Sequence, residues 1–221
     1  MSASARLMIL YGGTFDPVHN GHLAIARAAW QRLGSPVRMM PAADPPHRPP
    51  PGASAQDRAE MLALAVADEP GLCVDRRELE RTGRSYTVDT LRALRADEPD
   101  LPVAMLLGAD SFLSLPGWKD WRDLFGLVHF VVAERPGEDS VLDPLPEPLA
   151  EEVRRRWTED GAALAAAPAG RIMRLGQPLH DVSATALRSR IAAGRPWQHL
   201  VPAPVAALIQ ARRLYRDADN T

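Results

Sequence analysis

The sequence contains one cysteine, Cys73, so it can form neither an intramolecular disulfide nor a cysteine-based zinc cluster. Cys73 falls in the apolar run "GLCV", where a buried, inert thiol is expected in preference to a nucleophile. Lysine is equally scarce: Lys119 is the only one, and arginine carries the rest of the basic charge. A formal net charge of −2 offers no global basic excess for a nucleic acid, and Arg154, Arg155 and Arg156 read as a solvated helix face. No apolar run approaches the ~18 residues of a membrane-crossing helix. The opening "MSASAR" has neither the basic nor the apolar section of a secretory signal. A cytoplasmic protein without nucleic-acid or membrane partners is therefore expected. With 46% hydrophobic and 24% charged residues the composition is that of a globular chain. Its 221 residues suffice for one domain with a substantial core.

What is present is an alternation of periods. "RLMILYGG" from Arg6 to Gly13 reads as a buried strand, and His22 to Gly34 has helical spacing with a glycine stop. "PVRMMPA", "LCVDRREL", "PVAMLLGAD", "VHFVVAERPG" and "RIMRLG" supply five further strand candidates. Helical stretches such as "ASAQDRAEMLALAVADEPG" and "TVDTLRALRADEP" lie between the earlier of them. Strands alternating with helices indicate an α/β fold with a mostly parallel sheet covered on both faces. The acids and prolines of Asp139 to Pro148 read as a surface loop. A C-terminal helical portion, about Ser183 to Arg216, consists of two helices joined by "GRPWQHLVPAP" and packs on the same domain. Its last stretch, "QARRLYR", reads as an amphipathic helix lying on the domain.

In such a sheet, ligands sit beyond the carboxyl ends of the strands, near the point where strand order reverses. The loop after the first strand, "GGTFDPVHNGH", is the richest in chemistry. His19 and His22 could share a helix face, but no cysteine accompanies them and no third ligand is evident, so a metal centre is not expected. Gly12 and Gly13 allow a sharp, open turn, and Gly21 at the helix entrance carries no side chain to block a phosphate. The helix N-terminus supplies N–H groups and the positive dipole end, Thr14 a hydroxyl and the histidines imidazole donors. The result is a phosphate cradle without a lysine. It follows neither of the two common glycine-rich phosphate patterns. Near the other end of the chain, in "VSATALR", Ser183 can cap a helix whose first turn contains Thr185, with Arg188 one turn further along. Taken alone, that is a plain cap with a surface arginine.

The two motifs together resemble those of the nucleotidyltransferase superfamily: (H/T)-x-G-H with His19, Gly21 and His22 in the defining places and Thr14 upstream, then I-S-x-T-x-x-R with Val182 in place of isoleucine. Three loops narrow the likeness. "PPHRP" (Pro45 to Pro49), "SYTVDTL" (Ser85 to Leu91) and "GADSFLSLPGW" (Gly108 to Trp118) are similar to those of bacterial nicotinate-nucleotide adenylyltransferases, over nearly the whole chain from Leu7 to Arg216.

The resemblance implies a Rossmann-like, doubly wound sheet and a reaction of NAD biosynthesis. AMP would pass from ATP to nicotinate mononucleotide, giving deamido-NAD and pyrophosphate. It assigns catalysis to His22, assisted by His19 and Thr14. ATP would be held by Gly12, Gly13, Thr14, Phe15, His19, Gly21, His22, Asp110, Ser183, Thr185 and Arg188. The acceptor would be held by His47, Arg48, Tyr86, Thr87, Trp118 and Lys119. Trp118 can stack on the pyridine ring, and the helix opened by Thr87 favours an acid over an amide. Mg2+ would arrive with ATP, bound through phosphates and water. Trp121 is left as core, and homo-oligomerisation stays open. Nicotinamide mononucleotide or phosphopantetheine are alternative acceptors, although "SYT" and "PGW" argue against the latter. A non-catalytic nucleotide sensor is the alternative from another class.

Overall fold

The computed structural model describes residues 7–43, 50–80, 86–134, 145–176 and 182–216. Six strands, β1 (Met8–Gly13), β2 (Val37–Pro41), β3 (Leu72–Val74), β4 (Val103–Gly108), β5 (His129–Glu134) and β6 (Ile172–Gly176), form one sheet in the order β3-β2-β1-β4-β5-β6. All five pairings are parallel, with Ile9 opposite Val37 on one side of β1 and Ala104 on the other. This is the doubly wound order, and the chain reverses direction of travel between β1 and β4.

Alternation along β1 sets the two layers. Ile9 and Tyr11 point into a core shared with α1 (Asn20–Leu33), α2 (Ala55–Val66), α8 (Ala184–Ala192) and α9 (Ala203–Ala211). Leu10 points to the opposite core, closed by α3 (Thr87–Asp97), α4 (Ala109–Leu113), α5 (Leu124–Leu127) and α6 (Leu149–Arg156). The remaining helix, α7 (Ala162–Ala165), adds Leu164 to the first core. Trp121 is buried in the second core, as expected. The C-terminal portion is two helices, with Leu187, Ile191, Val205 and Ile209 in the same core as β1.

Four expectations need correction. The third strand ends at Val74, because Asp75 turns back to accept from the Arg77 amide at 3.1 Å and from its guanidinium at 2.7 and 2.9 Å. Cys73 is exposed: β3 is an edge strand in which alternation sends Leu72 inward and Cys73 outward. Of the arginine triplet, Arg154 and Arg155 form exposed ion pairs, but Arg156 folds over the Phe125 ring, 5.1 Å from its centroid. Finally, α9 stops at Ala211, and "RRLY" continues as a turn instead of helix. Most of the loop expected at Asp139 to Pro148 lies outside the described residues.

Candidate active site

Helix α1 begins two residues earlier than its periodicity suggests, because its cap is a histidine. His19, in extended backbone, accepts from the His22 amide through Nδ1 at 3.4 Å, and His22 Nδ1 accepts from the His19 amide at 3.3 Å. The pair is a capping box built from two imidazoles. With Nδ1 accepting, the neutral ring of either histidine carries its proton on Nε2. The rings are stacked with centroids 3.7 Å apart, and Phe15 meets the His22 ring edge-on at 5.0 Å. Tyr11 closes the cluster from β1, its phenol pushed up by burial and kept protonated.

The glycines act differently from the sequence reading. Neither Gly12 nor Gly13 takes a positive φ; the sharp turn is made by Phe15 at φ 49, a conformation uncommon for a bulky residue. Gly13 is required because the Phe15 ring folds back over it, where a Cβ would meet Cζ at 3.0 Å. Phe15 itself is buried. At Gly21 the space is taken by protein: a Cβ would lie 3.0 Å from Val182 Cγ1 and 3.1 Å from His19 Nδ1. The first motif thus packs directly against the first residue of the second.

Ser183 caps α8, its Oγ accepting from the Ala186 amide at 3.2 Å. Arg188 reaches back across the chain and donates from Nη1 to the backbone oxygen of Asp16 at 2.6 Å. Its Nη2 lies 3.5 Å from the Thr185 hydroxyl. The two ends of the chain meet, as the paired motifs suggest.

A cavity of about 370 Å³ opens at the carboxyl ends of β1, β2 and β4, at the reversal point of the sheet. Gly12, Gly13 and Thr14 line it together with Tyr86, Thr87, Trp118 and Lys119, and Met40, Met105 and Leu107 add apolar surface. Trp118 is oriented by donating from Nε1 to Ser114 Oγ at 3.1 Å. The Lys119 ammonium pairs with Asp89 at 3.0 Å and sits 4.9 Å over the Tyr86 ring. Tyr86 precedes α3, so the N–H groups of Thr87 and Val88 are not used within the helix and its dipole faces the cavity.

Four of the six expected acceptor residues therefore share one wall, while His47 and Arg48 lie outside the described residues. Asp110 is exposed on α4 and is not part of the wall; its backbone oxygen takes the Ser114 amide at 3.1 Å. His19, His22 and Arg188 do not line the cavity.

Several residues escaped the sequence reading. Arg58 is 1% exposed and binds the oxygens of Thr14 and Ala42 at 2.7 Å and of Ala43 at 3.0 Å, joining the loops after β1 and β2. Burial lowers the pKa of its guanidinium and the nearby Asp16 partly offsets this. The signal was available: Arg58 sits on the apolar stripe with Leu62 and Val66 at helical spacing. Glu78, also in the wall, accepts from the Thr90 hydroxyl at 3.0 Å, but reading its segment as a strand hid it.

A parallel sheet in Rossmann order, with its first loop capping a helix beside a cavity at the reversal point, defines a nucleotide-site α/β protein. The chain belongs to the cytidylyltransferase-like family, whose profile matches residues 10–190. It is 56% identical over 220 residues to a Stenotrophomonas maltophilia (strain K279a) protein named "Probable nicotinate-nucleotide adenylyltransferase", covering 95% of this chain and 97% of that one. A Xylella fastidiosa (strain 9a5c) protein of the same name is 48% identical over 214 residues, covering 95% and 96%. The fold is similar to that of Plasmodium falciparum nicotinic acid mononucleotide adenylyltransferase complexed with NaAD, with a TM-score of 0.72 at 14% identity over 95% of this chain and 97% of that one.

Proposed function

We propose that the protein transfers the adenylyl group of ATP to nicotinate mononucleotide, in the cytoplasm, as a step of NAD biosynthesis. The observation that supports this reading is the cavity lined both by Gly12, Gly13 and Thr14 and by Tyr86, Thr87, Trp118 and Lys119. The names of the relatives support it.

An oxygen of the acceptor 5′-phosphate attacks the α-phosphorus of ATP, a P–O–P bond forms, the bond to the β-phosphate breaks, and pyrophosphate leaves. The nucleophile is already anionic, so the protein aligns the reactants and stabilises charge without a covalent intermediate. His22, with its proton fixed on Nε2, donates to the transferring phosphate, and His19 and Thr14 assist. Gly21 and the α1 N-terminus bring backbone amides close, and Ser183, Thr185 and Arg188 hold the β- and γ-phosphates. Among the described residues no group of three His, Cys, Asp or Glu side chains offers a metal cage. Mg2+ arriving with ATP would be held mainly through phosphate oxygens and water and would neutralise triphosphate charge. At the acceptor end Trp118 stacks on the pyridine ring. The amides of Thr87 and Lys119 receive the carboxylate, with Tyr86 and the Lys119 ammonium behind them.

The test is pyrophosphate release with ATP and Mg2+, comparing nicotinate mononucleotide, nicotinamide mononucleotide and phosphopantetheine. Preference for the acid by about tenfold or more is expected from one charge-assisted hydrogen bond. Comparable use of nicotinamide mononucleotide would remove the carboxylate site from the reading. ATP binding without turnover on any acceptor would make the protein a sensor.

A further inference from the structure

Asp16, between Phe15 and Pro17, gathers three distant parts of the chain. It is 4% exposed, and its Oδ2 accepts from the Gly52 amide at 2.8 Å and lies 3.5 Å from Arg188 Nη1. Its Oδ1 accepts from the Ala53 amide at 3.1 Å and from the Tyr215 hydroxyl at 2.7 Å. Tyr215 arrives from beyond α9, where the chain turns with Arg213 at φ 52 and Tyr215 at φ 61. Arg212 fixes this turn on α2, paired with Asp57 at 2.5 Å and Glu60 at 2.8 Å. The Tyr215 ring lies against Gly52, where a Cβ would be 3.1 Å from Cδ1. Burial and the Asp16 charge push the phenol far above its ordinary range, so the hydroxyl remains a donor.

We infer that Tyr215 is a positioning residue for ATP, which acts through Asp16 on Arg188. By donating to Oδ1, Tyr215 pins the carboxylate so that only Nη1 of Arg188 is engaged by Asp16, and Nη2 stays directed toward Thr185 and the triphosphate. Without the hydroxyl, Oδ1 keeps the single Ala53 amide. The carboxylate can then rotate to take the guanidinium with both oxygens, drawing Arg188 off the nucleotide. The described acceptor wall of Tyr86, Thr87, Trp118 and Lys119 is built on α3 and the turn after α4, a different part of the fold, so the effect falls on ATP.

This inference rests on the adenylyltransferase reading, and steady-state kinetics with both substrates varied separates the two. Tyr215→Phe keeps the ring on Gly52 and removes only the hydroxyl. It is expected to raise KM for ATP about tenfold, the scale of one hydrogen bond to a charged group, with KM for nicotinate mononucleotide unchanged. In an Arg188→Ala background the same substitution should have no further effect on ATP. Arg188→Lys serves if that background does not fold. An unchanged KM for ATP in Tyr215→Phe would overturn the inference. Parallel rises in both KM values with a lowered Tm would do so too, because a merely structural tyrosine behaves that way. An ATP effect persisting without Arg188 would also overturn it. An inactive wild-type protein would instead overturn the reading of function.

Discussion

Gly12 and Gly13 are neighbours in β1, and the structure predicts opposite outcomes when each is replaced by alanine. At Gly13 the new Cβ would sit 3.0 Å from Phe15 Cζ and 3.2 Å from Cε1 and Cε2. The Phe15 ring has no room to retreat: it is 2% exposed, wedged edge-on between Tyr11 and His22, with its backbone already at positive φ. Overpacking of this kind costs roughly 1–3 kcal/mol, or a Tm lower by about 2–12 °C for a chain of this size. Since Phe15 touches His22, the displacement also reaches the proposed phosphate donor, and kcat should fall by at least about tenfold.

At Gly12 the same methyl meets Met105 Cε at 3.6 Å and Met40 Cε at 3.7 Å, ordinary van der Waals contact, and the backbone is not at positive φ. Gly12→Ala should therefore keep or slightly raise stability, by up to about 1 kcal/mol through the unfolded chain. Gly12 lines the cavity, however, so the methyl takes space from the ligand and KM should rise. Thermal melting with and without ATP, beside the pyrophosphate assay, reads both quantities. A Gly13→Ala variant that melts within a degree of wild type and turns over normally would refute the packing argument. A Gly12→Ala variant with unchanged KM for both substrates would refute the placement of ligand against β1.

The other expectations are simpler. Ser183→Ala removes the α8 cap and should cost about 1 kcal/mol, read as a Tm lower by roughly 2–4 °C; an unchanged Tm would mean that the cap contributes nothing. Trp118→Ala should raise KM for nicotinate mononucleotide roughly tenfold while leaving KM for ATP unchanged, and equal effects on both would remove the stacking role. His129 is buried with Nε2 2.8 Å from the Ala167 oxygen and Nδ1 accepting from the Arg171 amide at 3.0 Å. Burial lowers its pKa below the ordinary 6.5, so the unfolded chain binds the extra proton first. Its contribution to stability is complete above about pH 6.5 and declines as pH falls toward the folded value. Urea melts from pH 7.5 to 5 should show that slope, and it should flatten in His129→Gln; identical slopes would exclude His129 as the source.

The elements and the two motifs were legible because both are local signals. Hydrophobic period identified the six strand positions, and a serine three residues before an amide it can cap identified the start of α8. His19 was a different matter: histidine is not among the preferred caps, so the reciprocal imidazole box, and with it the true start of α1, did not show in spacing. Cys73 misled for the converse reason. A short apolar run looks the same whether the strand is central or at an edge, and only the sheet order distinguishes them.

What stayed hidden is the set of contacts made across long stretches of sequence, and these fix the geometry of the motifs. Arg58 binds the oxygen of Thr14 and Tyr215 the carboxylate of Asp16, so α2 and the C-terminal turn hold the loop between β1 and α1 from beneath. Helical spacing can flag Arg58 as a charge on an apolar stripe, but no local period links Tyr215 to Asp16. The proposed phosphate donors sit on, or in the first helical turn after, a loop that contains Phe15 at positive φ, an arrangement that persists only where surrounding contacts over-determine it. Arg58 supplies one of those contacts, to the Thr14 oxygen at 2.7 Å, and ties the loop to Ala42 and Ala43 after β2 at 2.7 and 3.0 Å. Replacing it with methionine would remove its hydrogen bonds to the oxygens of Thr14, Ala42 and Ala43, at a cost of roughly 3 kcal/mol. If the loop depends on this support, Arg58→Met lowers stability and turnover together. A variant that melts early but keeps full kcat below its Tm would show that the β1–α1 loop holds its shape without help from α2.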